Sequence, residues 1–251
     1  MAQLIAQIGL IFVALTLPIA MWWFSLSLRR RGRSPQLRSL AAFDALRGQL
    51  GRSVESGRPA HISVGTGGLA GGEALMTLAG VSIVNSLAQE SADTGAQPTV
   101  TVADGTALIL AQDMLRRPYT RRGDLTGYTA LNVQQLGMQP LQYAVGAADF
   151  LSSAHPVSNA MIGSFGPEVA LMVDAGARQG LAQVAGSADA RALAVLHTSA
   201  DHVLMGEEIF AAGAYLDRRP GDLARLRAQD LTRLILIIVI LVAALSALLP
   251  G

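Results

Sequence analysis

Cysteine and lysine are both absent from the 251 residues, and charge of either sign is scarce at 15%. Without cysteine there is no disulfide, no thiolate nucleophile and no cysteine metal site. Without lysine all nineteen basic residues are arginine, which rules out Schiff-base catalysis and the phosphate-gripping lysine of a Walker loop. Motifs are missing as well. No G-x-S-x-G elbow anchors serine hydrolase chemistry. His61, His155, His197 and His202 lack a metal-ligand spacing such as H-x-x-x-H, so they read as core or surface imidazoles. With no nucleophile-and-base set in view, no catalytic residue is assigned. A net charge of +1, with the arginines crowded near the two ends, is no nucleic-acid footprint.

Apolar residues are abundant, at 51%, more than an average soluble domain carries. Residues 4–28 hold no charge and, at about 1.5 Å per helical residue, are long enough to cross a hydrocarbon core of about 30 Å. Trp22 and Trp23 sit where an interfacial aromatic belt falls, and Arg29, Arg30, Arg31, Arg33 and Arg38 follow. A second apolar run, 231–249, is preceded by Arg218, Arg219, Arg225 and Arg227, contains Arg233 and is closed by Pro250. Basic flanks stay cytoplasmic. The expectation is therefore two spans in the inner (plasma) membrane, both termini outside and the middle of the chain in the cytoplasm. A cleaved signal peptide is the alternative for the first run, but no positive charge precedes it and it exceeds a signal h-region. Topology determination accounts for the arginines, with recruitment of anionic lipid as the alternative. Asp222, after Pro220 and Gly221, is placed as an N-cap from which the last cytoplasmic helix runs into the second span.

The expected division is 1–33 as anchor with basic flank, 34–220 as an α/β domain, and 221–251 as helix and second span. From residue 61 short β-branched runs alternate with helix-length amphipathic segments, the pattern of a parallel sheet covered on both faces. Strands are predicted at 61–65, 99–103, 132–136, 160–163, 182–185 and 202–205. Helices are predicted at 36–58, 72–89, 106–117, 140–152, 167–179, 190–199 and 207–216. Six strand-then-helix repeats predict a Rossmann-like, doubly wound sheet.

Ligands of such sheets bind at the carboxyl ends of the strands near the switch point, and both turns expected there are glycine-rich. Thr66, Gly67 and Gly68 lie in a G-x-G-x-x-A arrangement after the first strand, and Ser164, Phe165 and Gly166 follow the fourth. Glycines at such places let backbone amides approach an anion. Against a dinucleotide, the acidic candidate Asp104 lies 39 residues beyond Gly65 where about 20 is usual, and Glu73 sets a negative charge at the helix start. Asp104, Glu168, Ser187, Asp189, Glu207 and Glu208 would gather on the same rim. The carboxylates read either as helix caps or first-turn acids or as oxygen ligands for Mg²⁺. The candidate ligand residues are thus Thr66, Gly67, Gly68, Asp104, Ser164, Phe165, Gly166, Asp189 and Glu207. No cofactor or metal is identified. Arg116, Arg117, Arg121 and Arg122, around Tyr119, read as a solvated loop.

The segments VGTGG, TVADGT, LAQDMLRR, IGSFGPE, AGSADARAL and ADHVLMGEEIFAAGAYL, with the two apolar ends, resemble an uncharacterised domain-of-unknown-function family of two-span membrane proteins from Chloroflexota and similar bacteria. The resemblance covers nearly the whole chain and implies the same two-anchor arrangement, with no activity to carry over. The functional expectation is a membrane-anchored module for assembly or partner docking that self-associates. Ala243, Ala244, Ser246 and Ala247 are suited to helix contacts. The alternatives are a sensor or enzyme for a nucleotide or other small anion, and an accessory subunit of a membrane complex.

Overall fold

Alternating apolar runs and amphipathic segments become a parallel six-stranded sheet with three helices on each face. The computed structural model describes residues 39–217 without interruption, together with the helical positions 16, 19, 20, 23, 226, 230, 233–237, 240 and 241. Two compact units result: Arg38–Asp217, and Met1–Leu37 together with Arg218–Gly251. Among the described residues no helix is long and apolar enough to cross a membrane. The two expected spans, and the helix expected from Asp222, fall largely outside the described residues.

In the larger unit the order is α1 (Ala41–Ser56), β1 (Ala60–Gly65), α2 (Ala74–Thr94), β2 (Pro98–Val102), α3 (Gly105–Arg122), β3 (Val133–Gln135), α4 (Pro140–Ala154), β4 (Ser158–Ser164), α5 (Val169–Arg178), β5 (Ala182–Ser187), α6 (Ala190–Ser199) and β6 (His202–Met205). The sheet order is β3-β2-β1-β4-β5-β6, and every pairing is parallel. This is the doubly wound Rossmann order, with its switch point between β1 and β4.

Because side chains alternate along a strand, the sheet has two chemically different faces. Ile62, Val64, Val100, Val102, Ile162, Val184 and Leu204 join Phe43 and Leu46 of α1, Ile83 and Leu87 of α2, and Leu115 of α3 in one apolar core. The other face carries a smaller core, with Tyr143 and Ala147 of α4, Met161 of β4, Met172 and Val173 of α5, and Leu196 of α6.

Between the strands and α4 that second face holds a fully buried polar chain. Asn159 Nδ2 donates to Gln183 Oε1 at 3.0 Å, and Gln183 Nε2 to the Val173 carbonyl at 3.0 Å. With its amide nitrogen so used, Asn159 Oδ1 must accept from His61 Nδ1, 2.8 Å away, which leaves His61 Nε2 to accept from Thr101 Oγ1 at 2.9 Å. Thr101 Oγ1 lies 2.8 Å from the Tyr143 hydroxyl, which is 2.5 Å from Ser63 Oγ. Complete burial holds His61 neutral, lowering its pKa to about 4 against the opposing effect of the hydrogen bond it donates to Asn159. The same burial pushes the Tyr143 phenol up to about 12.

Two segments depart from the predicted pattern. The helix expected at 207–216 is a 3-10 helix, Gly206–Ala211, followed by a π-helical turn, Gly213–Asp217. Ile209, Ala211, Ala212, Ala214 and Leu216 are all buried and would point all round a regular α-helix, so tertiary packing overrides helix propensity. Tyr215 stacks on Phe43 at 5.0 Å, and the Arg47 guanidinium donates to the Tyr215 and Leu216 carbonyls. The arginine segment expected as a loop is instead the last turns of α3, which passes through Pro118. Arg122 holds it there by donating to the Ala92 carbonyl and the Asp93 carboxylate of α2, and Tyr119 is buried 6.2 Å from Tyr128.

Candidate functional site

The switch point is where the β1 and β4 turns meet. Gly65 has φ +95°, and a Cβ there would fall on the Ser164 carbonyl; Gly163, at φ +156°, would meet the Val64 carbonyl in the same way. Only glycine allows this approach. The turns are bonded to each other, Thr66 N donating to the Ser164 carbonyl at 2.8 Å and Thr66 Oγ1 to the same oxygen at 3.2 Å. Above them opens a crevice of about 420 Å³, walled by Thr66, Gly72, Glu73, Met76, Pro140, Ser164, Phe165, Gly166, Pro167, Glu168, Ser187, Ala188, Asp189 and Arg191. That size suits a small ligand.

Thr66, Ser164, Phe165, Gly166 and Asp189 line this crevice, so the structure brings five of the nine candidate residues together. The other four lie elsewhere. Gly67 is a packing glycine whose Cβ would lie 2.6 Å from Thr77 Oγ1 and 2.8 Å from Ser164 Cβ, and a Cβ on Gly68 would lie 2.8 Å from the Asp104 carboxyl carbon. Asp104 N-caps α3, accepting from Thr106 N at 2.8 Å, Ala107 N at 3.3 Å and the Thr106 hydroxyl. These bonds, the hydroxyl's first, hold its pKa below the usual carboxylate value. Glu207 stands in the first turn of the 3-10 helix after β6 and is not part of the crevice wall.

The electrostatics oppose an anion. Gly166 N, an amide expected to face a phosphate, donates to Glu168 Oε1 at 2.8 Å. Asp189 N-caps α6, accepting from Arg191 N at 2.7 Å, and pairs with Arg191 Nη2 at 2.9 Å. The Arg191 guanidinium, followed by its backbone amide, draws the Asp189 pKa down to about 2. Three carboxylates, Glu73, Glu168 and Asp189, thus face the crevice with one guanidinium, Arg191. Moreover α2, α3, α5 and α6 each have an acidic residue at the N-cap: Glu73, Asp104, Glu168 and Asp189. Every helix dipole aimed at this edge by those four helices is met by the chain's own carboxylate. Among the described residues no group of three His, Cys, Asp or Glu side chains is arranged to hold a metal ion.

The family model for a domain of unknown function, DUF6754, matches residues 3–250. The chain belongs to this family. No curated protein and no solved structure matches it. The match runs through both terminal segments as well as the sheet.

Arg191 and the buried polar chain escaped the sequence reading. The signal for Arg191 is its place two residues after a capping aspartate, where a guanidinium can fold back on the carboxylate. The polar chain shows itself as polar residues on alternate strand positions: His61 and Ser63, Thr99 and Thr101, Asn159, and Gln183. Nothing in one strand reveals that its polar position meets the next.

Proposed function

We propose that this DUF6754 member is a membrane-anchored module of the inner membrane that acts by assembly and partner docking. In this reading two spans carry the sheet unit on the cytoplasmic side, with both termini outside. One observation carries it. Leu234, Ile235, Leu236 and Ile237 are successive helical residues, each between 45% and 54% exposed, and they point in four directions about 100° apart. A helix apolar all round must be covered, by protein or by lipid. Ile19 and Trp23, one turn apart and also exposed, present the same chemistry at the other end, and the arginine flanks set the orientation.

Self-association is supported at the β3 edge. This short strand pairs on one side only, exposed Leu131 and Met138 flank it in the turns before and after, and exposed Leu141 and Val145 stand at the adjoining start of α4. Unpaired edges with apolar flanks are ready templates for another chain.

The test exploits the absence of cysteine. Alanine 2 and Leu125, the latter in an exposed loop of the sheet unit, are replaced singly as Ala2→Cys and Leu125→Cys in the full chain. An impermeant maleimide should label the first in intact spheroplasts and the second only after lysis, with both proteins resisting carbonate extraction. Extraction into the soluble fraction, or the opposite labelling, overturns the reading.

The crevice favours a second reading, a small-ligand sensor or enzyme. Its excess of carboxylates weighs against nucleotides and other anions. ADP with Mg²⁺, or phosphate, should therefore leave the melting temperature of the detergent-solubilised chain unchanged, since a ligand selective for the folded state must raise it. A rise of several degrees would transfer support to the anion reading.

A further inference from the structure

The amino-terminal edge of the sheet, opposite the switch point, holds a second cavity, of about 390 Å³. It opens where the last turns of α1, the lead into β4 and the turn from α5 to β5 meet. Its charge is the reverse of the crevice's, with two guanidiniums, Arg52 and Arg58, against one carboxylate, Glu55. Arg58 is held in place, its Nε donating to the His155 carbonyl at 2.7 Å and its Nη2 to the Pro156 carbonyl at 3.0 Å. Among the described residues neither Arg52 nor Glu55 is in an ion pair. Hydrogen bonding at this edge is incomplete. Gln179 Oε1, on the cavity wall, is buried with no partner within the described residues, and so is Ser158 Oγ. Ser158 follows Val157 of the wall and shares the strand face of Ala160 and Ile162, the face that α1 covers. Buried polar atoms are nearly always bonded, so an acceptor left open beside a cavity marks a place where a donor belongs.

We propose that this cavity binds a free α-amino acid with an aliphatic side chain. Arg52 and Arg58 take the carboxylate, which suits the planar fork of a guanidinium. The ammonium group supplies the donor that Gln179 Oε1 lacks, with Glu55 as its counter-charge. Pro156, Val157 and Leu181 give the aliphatic side chain an apolar wall. Inorganic phosphate meets only the first of these demands, and the two guanidiniums stand in solvent, where charge alone holds little. The site lies wholly within the sheet unit and stands independently of the membrane reading.

The detergent-solubilised full chain is titrated with L-leucine while its melting temperature is read, since a ligand selective for the folded state raises it. A saturable rise is expected. Isocaproate, which lacks the ammonium group, and isoamylamine, which lacks the carboxylate, should each need a concentration higher on the order of tenfold for the same rise. Arg52→Gln and Gln179→Leu should each weaken leucine binding by a similar factor. Gln179→Leu should also raise the melting temperature of the ligand-free chain, because it removes the unpartnered oxygen; a glutamine with a structural role alone would leave leucine binding unchanged. Arg116→Gln, on α3, should alter neither reading. No saturable rise with L-leucine, an equal response to either analogue, or unchanged affinity in both cavity variants overturns the proposal. If a variant fails to fold, the wild-type comparison of leucine with its two analogues decides the matter.

Discussion

At the scale of single residues, His61 controls how the sheet unit responds to acid. Its pKa is about 4 when folded against about 6.5 in an unfolded chain. A depressed pKa means that the unfolded state takes up the proton first. The stability linked to neutral His61 is complete above pH 6.5, shrinks as pH falls, and is lost by about pH 4. The difference corresponds to on the order of 3 kcal/mol. Urea denaturation between pH 7 and 4 should show this slope, and His61→Leu should flatten it while lowering stability at pH 7. The loss arises because Asn159 Oδ1 is left buried without its partner, at about 1–3 kcal/mol, while the Thr101 hydroxyl keeps its contact with Tyr143. An unchanged slope in the variant would assign the acid response elsewhere. Asp104 offers a contrast. As a helix cap it should be replaced almost without loss by Asn, while Asp104→Ala costs about 1 kcal/mol. A large loss in Asp104→Asn would mean that the charge itself is needed.

At the scale of elements, the parallel strands were legible because each is a short β-branched or apolar run bounded by glycine and proline. Prolines at the start of β2 and α4 marked boundaries that the structure respects. The misread elements were those decided by contacts distant in sequence. Pro118 ends a helix by local rules, yet Arg122 and Tyr119 find partners in α2 and the following loop that keep α3 wound. The 207–216 segment has the composition of an α-helix, but burial on every side rewinds it. The edge strand β3 carries its own prediction. Leu141 and Val145 are exposed, so Leu141→Asp with Val145→Asp should leave the melting temperature within a degree or two while shifting native mass toward monomer in gentle detergent. A wild-type chain that is already a sharp monomer removes the case for self-association through this edge.

At the scale of the whole molecule, position and chemistry of the crevice must be separated. Strand order places a cleft at the switch point, and glycine turns at Gly65 and Gly163 let β1 and β4 close beneath it. Whether that cleft accepts an anion depends on where acidic side chains end up. Glu168 occupies the Gly166 amide, Asp189 is neutralised by Arg191, and Glu73 faces the same space, so a phosphate-like geometry carries the wrong charge. Replacing Glu73 and Glu168 together by Gln should therefore increase any binding of phosphate to the crevice, as read by thermal shift; a decrease would mean that these carboxylates assist an anionic ligand through a bound cation.

The amino-acid sequence by itself determined the fold class, the strand count and the presence of two glycine turns, because these follow from local periodicity and from the few residues able to adopt tight turns. It also determined the apolar, arginine-flanked ends. Only the tertiary structure decided that a histidine, an asparagine, a threonine and a tyrosine from different elements share one hydrogen-bonded chain, and that carboxylates from three helix starts, Glu73, Glu168 and Asp189, rim the crevice. Each of these depends on which side chains meet across the sheet, and the meeting distance is set by packing among residues far apart in the chain.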